Sequence, residues 1–214
     1  TTPERRVDRL DVSIGRSVLK GVAVELTSGA TVEFKLSGEA VQSVGLLGAD
    51  IAGRPFAATR QDATFQAAGV MPGTYWPQVQ LPPGTYVKSV RMGDRDLIAS
   101  PIRIDGNATL TIEIAAKAGS VQGTTEQAAT VIAIPASTER AQVPWMIKQQ
   151  QTAIDGAFHL TNLPPGEYLV WSLERAESGA AFDATFRAKY LDRATRISVE
   201  EGSIVPLRLT PLKD

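Results

Sequence analysis

Apolar residues in this chain alternate with polar ones in short runs, and no stretch sustains the 3.6-residue spacing of an amphipathic helix. Thr31-Val32-Glu33-Phe34-Lys35, Ile102-Arg103-Ile104, Ile112-Glu113-Ile114, Ile197-Ser198-Val199 and Leu207-Arg208-Leu209 all follow this rule. Val41 to Leu47 and Thr130 to Ile134 are more continuously apolar, and turn signals separate the runs. The clearest stretch is Asp155 to Tyr168. Asp155-Gly156 predicts a tight hairpin turn, because glycine accepts positive φ at little cost. Phe158 and Leu160 alternate as in a half-buried strand, and Pro164-Pro165-Gly166 then turns the chain into Tyr168-Leu169-Val170-Trp171.

The same grammar occurs at Asp62 to Tyr75, where five of fourteen positions are identical at an offset of 93: Asp62, Phe65, Pro72, Gly73 and Tyr75 match Asp155, Phe158, Pro165, Gly166 and Tyr168. Leu81 to Tyr86 also matches Leu163 to Tyr168, at offset 82, but 93 agrees better with the flanking strands. Three pairs of short strands, starting at Val12, Ile102 and Ile197, have their second strand ten residues after the first, and each pair predicts a closing hairpin. The periodicity predicts an all-β chain of two tandem β-sandwiches of about seven strands each, residues 29–116 and 117–214. Residues 1–28 read as an extra N-terminal hairpin, the closing hairpin of a preceding copy. Its Val22, Val24 and Leu26 form an apolar face that would either join the edge of the first repeat or act as donor strands to another molecule. Pro206, inside the last strand, would cap one edge against pairing.

Composition narrows the function classes. The 214 residues carry a net charge of −1, which offers nothing to nucleic acid or anionic lipid. No apolar run approaches the roughly 20 residues of a membrane-spanning helix. Cysteine is absent and His159 is the single histidine, so neither a thiol nucleophile nor an imidazole cluster for zinc can be built. Thr1 to Leu10 lacks the apolar core of a signal peptide; an exported protein would be represented here by a mature or excised fragment.

The pattern Asp-Gly-x-Phe-x-Leu-x-x-Leu-Pro-Pro-Gly-x-Tyr at 155–168 resembles the carboxypeptidase regulatory-like domains, which are transthyretin-like, immunoglobulin-like β-sandwiches. The first repeat is similar but degenerate, with Ala63 in place of the turn glycine and Met71 in place of the first proline. The resemblance implies a non-catalytic extracellular, cell-surface or periplasmic module, often arrayed in tandem or appended to larger proteins. It does not imply peptidase activity.

Candidate chemistry is sparse. His159 falls on the outward phase of its strand, and there is no nucleophile elbow for a serine triad. Gly93-Asp94-Arg95-Asp96 supplies too few oxygens for calcium. Trp145 with Gln149 and Gln151 is the candidate ligand contact: an indole to stack on a sugar ring, with amides to bond its hydroxyls. The alternation of Val143, Trp145 and Ile147 equally fits an indole facing the core. No catalytic residue, metal or cofactor is expected. The expected partners are other domains of the parent protein, other copies of the chain, or glycans. A structural or interaction module, a filament subunit joined by strand complementation, and a carbohydrate-binding module are the three readings.

Overall fold

The structure, a computed structural model, describes residues 6–7, 27–49 and 55–213. Strands β1 (Arg6–Val7) and β2 (Thr27–Ser28) pair antiparallel. The expected strands starting at Val12 and Val22, with Val22, Val24 and Leu26, lie outside the described residues.

Ten strands follow between residues 30 and 116: β3 (Ala30–Gly38), β4 (Ser43–Gly48), β5 (Phe56–Ala57), β6 (Thr59–Gln61), β7 (Thr64–Val70), β8 (Gly73–Gln80), β9 (Thr85–Met92), β10 (Arg95–Asp96), β11 (Ile102–Ile104) and β12 (Ala108–Ala116). They form a six-stranded sheet in the order β10-β9-β12-β3-β7-β6 and a four-stranded sheet in the order β11-β8-β4-β5. The alternating positions predicted from sequence face one another across the gap. Val32, Phe34, Leu110, Ile112 and Ile114 of the larger sheet share a buried cluster with Val44, Leu46, Tyr75, Ile102 and Ile104 of the smaller.

Seven strands lie between residues 119 and 209: β13 (Gly119–Thr125), β14 (Thr130–Pro135), β15 (Lys148–Gln151), β16 (Ala157–Leu163), β17 (Gly166–Leu173), β18 (Thr195–Val199) and β19 (Ile204–Leu209). Their sheets run β16-β13-β19 and β15-β14-β17-β18. Val121, Phe158 and Leu160 pack against Val131, Tyr168 and Val170 between them. In each group the first strand pairs in parallel with the last, β3 with β12 and β13 with β19. β8 and β17 hold equivalent places beside β4 and β14, so Tyr75 corresponds to Tyr168 as the offset of 93 requires.

Three sequence expectations are corrected. The strands of the closing hairpins do not pair with each other. β11 bonds β8 while β12 bonds β9 and β3, and β18 bonds β17 while β19 bonds β13. Each pair is an arch that crosses between sheets. A ten-residue spacing with alternation buries the same residues in a hairpin or an arch; the two differ only in where the backbone hydrogen bonds point, and side-chain pattern does not record that. The Asp155-Gly156 turn likewise joins β15 and β16 in different sheets, closed by Gly156 N–H to Ala153 (2.9 Å) and Ala153 N–H to Ala157 (2.8 Å). In the first repeat, Asp62-Ala63 does close a hairpin, between β6 and β7. The second correction is the strand count of the first repeat, where β6, β9 and β10 have no counterparts in the second.

The third concerns Val143–Ile147, whose alternation predicts a strand. Pro144–Met146 is instead a 3-10 turn, opened by a proline that needs no N–H partner there. In place of β9, the second repeat has residues 174–194, which carry the short helix α1 (Ala184–Ala188). The Asp183 carboxylate caps it, accepting from Thr185 N–H (2.7 Å) and Phe186 N–H (3.3 Å). This segment lays Ala181 and Tyr190 over Ile132, Ile134 and Trp171, burying the outer face of the four-stranded sheet. Residues 130–135 are consequently buried on both faces, which explains their continuous apolar run.

Candidate functional site at the junction of the two sandwiches

The Pro-Gly turns position everything else, because each carries the chain from one sheet of its sandwich to the other. The Tyr75 hydroxyl donates to the Met71 carbonyl (2.8 Å) and the Tyr168 hydroxyl to the Pro164 carbonyl (2.9 Å), so each ring ties down the turn that precedes it. Phe65 and Phe158 are buried in the two cores. Asp155 Oδ1 accepts from Ala157 N–H (3.0 Å), and a Cβ on Gly156 (φ 84°) would stand 2.2 Å from the Thr125 carbonyl oxygen. In the first repeat Asp62 takes the left-handed backbone itself (φ 51°), which is how Ala63 is tolerated there.

Just before each Pro-Gly turn a β-bulge shifts the register, between Ala30 and Val32 on one side and Gly119 and Val121 on the other. The bulged strands carry Gly69 (φ 71°) and Asn162 (φ 57°), again 93 residues apart. Glycine meets the backbone requirement alone, whereas asparagine meets it and adds a side chain. Asn162 Nδ2 donates to the Pro82 carbonyl (2.7 Å), and its Oδ1 accepts from Gly84 N–H (3.3 Å). It thereby grips the Pro82-Pro83-Gly84 turn of the first repeat. Ala118 N–H bonds the Gly84 carbonyl (2.9 Å) beside it. Trp145 packs edge-to-face on Trp76 of the first repeat, with centroids 5.8 Å apart, and the pair closes over Val143 and Met146. The Trp145 indole N–H is buried without a partner. Sequence reasoning missed Asn162; its signal was the match of an asparagine to a glycine in an otherwise similar motif.

Between these contacts opens a cleft of about 1620 Å³, lined by β8, β15, β16 and the 174–194 segment. Among the described residues none of its lining side chains is Asp or Glu. Six of the chain's eleven glutamines line it: Gln78, Gln80, Gln142, Gln149, Gln150 and Gln151. Gln149 is engaged at both ends, donating to the Glu177 carbonyl (2.7 Å) and accepting from Ala181 N–H (3.1 Å), so it tethers the 174–194 segment. Gln150 Oε1 accepts from His159 N–H (3.2 Å) and bridges the two sheet edges, while Gln151 is exposed. The His159 ring is exposed on β16. Lys148 is half-buried, and desolvation lowers its pKa to about 8. Arg187 is only 6% exposed, donating from Nη1 to the Ala181 carbonyl (2.7 Å). Desolvation draws its pKa down, partly offset by Asp183. No cluster of three or more metal-ligating side chains occurs among the described residues, and Asp94 and Asp96 lie at the β9–β10 turn.

No family model matches the chain, and no curated protein does. Solved structures similar to it include the Bacillus anthracis TIE protein, at 12% identity over 86% of this chain with a TM-score of 0.31. The chain spans 34% of that protein's length. A minor pilin of Streptococcus agalactiae is similar at 12% identity and TM-score 0.32, covering 87% of this chain and 96% of its own. The Streptococcus pneumoniae pilus backbone follows at 8% and 0.26, over 84% of this chain and 63% of its own. The likenesses are too loose to bear on what this chain does.

Proposed function

We propose that the chain is a non-catalytic structural and interaction module of a larger bacterial surface or secreted protein, of the carboxypeptidase regulatory-like type. Residues 29–116 and 117–214 are its two repeats, and it works as a rigid spacer because they are locked together. The observation that carries this reading is Asn162, a bulge residue that bonds two backbone groups of the other repeat. A flexible string of domains would need no such grip, since a linker alone joins it. The non-catalytic part rests on the sequence, with one histidine and no cysteine.

Small-angle scattering tests the reading. The full chain is expected to give one compact envelope that is insensitive to salt. Asn162→Gly, which keeps the bulge backbone and removes the grip, should broaden the distance distribution while leaving the circular dichroism of both sandwiches intact. An envelope of two independently moving bodies in the unmutated chain would refute it.

One observation favours a second reading, assembly by strand complementation. β12 is covered by β9, but among the described residues β19 has no strand on its outer side. The Ser203 carbonyl accepts from Ser120 N–H (2.9 Å), so strand alternation turns residues 204, 206 and 208 outward. Pro206 stands at the centre of that edge without an N–H, which restricts the partners it accepts. Concentration-dependent growth in light scattering, abolished by removing residues 1–27, is the outcome this reading requires.

A further inference from the structure

The cleft combines features that a structural junction does not need. A spacer interface is best served by apolar packing, as at the Trp76–Trp145 contact. Here Arg187 is buried to 6% exposure with a single carbonyl partner. Asp183, the acid that acts on it electrostatically, caps α1 and makes no ion pair with it. Arg187 lines the cleft. Lys148 has no hydrogen-bond or carboxylate partner among the described residues. The β14–β15 register sets Lys148 beside Ala133, on the face toward the other sheet, and Gln149 beside Ile132, on the face that the 174–194 segment covers. The two cations therefore flank β15 from opposite sides. Phe182 lines the same cleft and is 54% exposed. Gln78, Gln142 and Gln151 are exposed there with no protein partner among the described residues.

We propose that this cleft binds an acidic oligosaccharide: its carboxylates pair with Lys148 and Arg187, its hydroxyls bond the free glutamine amides, and one ring face rests on Phe182. The chemistry selects this class. Amides donate and accept, which matches hydroxyls that do both. Two cations in a wall without acids favour anions over neutral or cationic ligands. They are too few for a nucleic acid, whose binding draws on many phosphate contacts. An apolar ligand would bury the amides unbonded. The volume exceeds the roughly 300–1,000 Å³ of pockets for small molecules, which points to several sugar units rather than one. The proposal rests on the docked junction proposed above, because the cleft exists only between docked repeats.

The test is calorimetric titration of the full chain at low salt with tetragalacturonate, neutral galactotetraose and a pentaglutamate peptide. Tetragalacturonate should bind saturably and at least about tenfold more tightly than the other two, the effect of one charge-assisted contact. Lys148→Met, which removes the charge and keeps the volume, should weaken it about tenfold or more. Raising the pH from about 7 to about 9.5, through the lysine pKa of about 8, should weaken binding to the unmutated chain and not to Lys148→Met. His159 and Arg187 are the other titratable groups lining the cleft, and the comparison with Lys148→Met isolates the share that belongs to the lysine. Arg187→Lys keeps a charge in the buried site and should retain part of the affinity.

No saturable heat, or equal binding by Lys148→Met, overturns the proposal. Equal binding of galactotetraose overturns the role of the cations, and equal binding of pentaglutamate overturns the saccharide. Scattering from the same sample separates the two readings. A docked envelope without binding sinks this proposal alone, whereas an undocked one sinks the rigid module as well.

Discussion

Lys148 has a consequence for stability as well as for ligands. Its native pKa of about 8 lies below the ordinary 10.5, so the unfolded chain holds more protons than the native one between those values. Stability attributable to this group therefore rises with pH from about 8 to about 10.5, and at neutral pH the buried ammonium is a net cost. Discounted for its partial exposure, that cost is on the order of 1–2 kcal/mol. Lys148→Met should accordingly be more stable than the natural chain by about this amount at pH 7, and the gap should shrink by pH 10. Urea unfolding of both proteins at several pH values measures it, and a gap that does not change with pH would show that the lysine is solvated in the native state. Residue by residue, the sequence was most legible where one position serves one purpose. Phe65, Phe158, Tyr75 and Tyr168, each in a repeated motif, are all buried. Lys148 was not singled out, because nothing local distinguishes a lysine at a cleft wall from one in solvent.

Among the elements, the repeated Pro-Gly arch explains why the motif recurs. Crossing between sheets leaves the turn without ladder hydrogen bonds, and the tyrosine hydroxyl supplies one from the side. Tyr168 is buried, and desolvation pushes its phenol far above the ordinary tyrosine range, so the bond persists in alkaline solution. Tyr168→Phe keeps the ring and removes only that bond, which should cost about 1 kcal/mol and raise amide exchange at residues 164–167 before elsewhere. Unchanged exchange at the turn would assign the tyrosine to packing alone. Strand positions were legible because a period of two survives in the side chains. Strand partners were not: β11 and β12 read as a hairpin although they lie in different sheets. The 174–194 segment was invisible for a related reason, since its five-residue helix is too short to display a period.

At the scale of the whole molecule, the question is whether two sandwiches with separate cores behave as one. Trp76 belongs to the first and Trp145 to the second, and they meet edge-to-face at 5.8 Å, in a cluster with Val143 and Met146. If the sandwiches unfolded independently, each indole could be changed without altering the transition of the other half. Docked, they should share one transition and show an interaction energy. A double-mutant cycle of Trp76→Leu and Trp145→Leu, followed by calorimetry and urea unfolding, should give a coupling of about 0.5–1.5 kcal/mol. Two resolved transitions, each responding to only one substitution, would mean that the junction contributes no cooperativity. The sequence alone did not reach this pair. It offered Trp145 either to a core or to a ligand, but the surface that receives Trp145 lies about 70 residues away on another repeat, and no local pattern encodes a contact of that range. The repeat comparison comes closest. Where Gly69 becomes Asn162, the second copy departs from the first at the position that touches it, and a departure of that kind is the trace an interface leaves in a duplicated sequence.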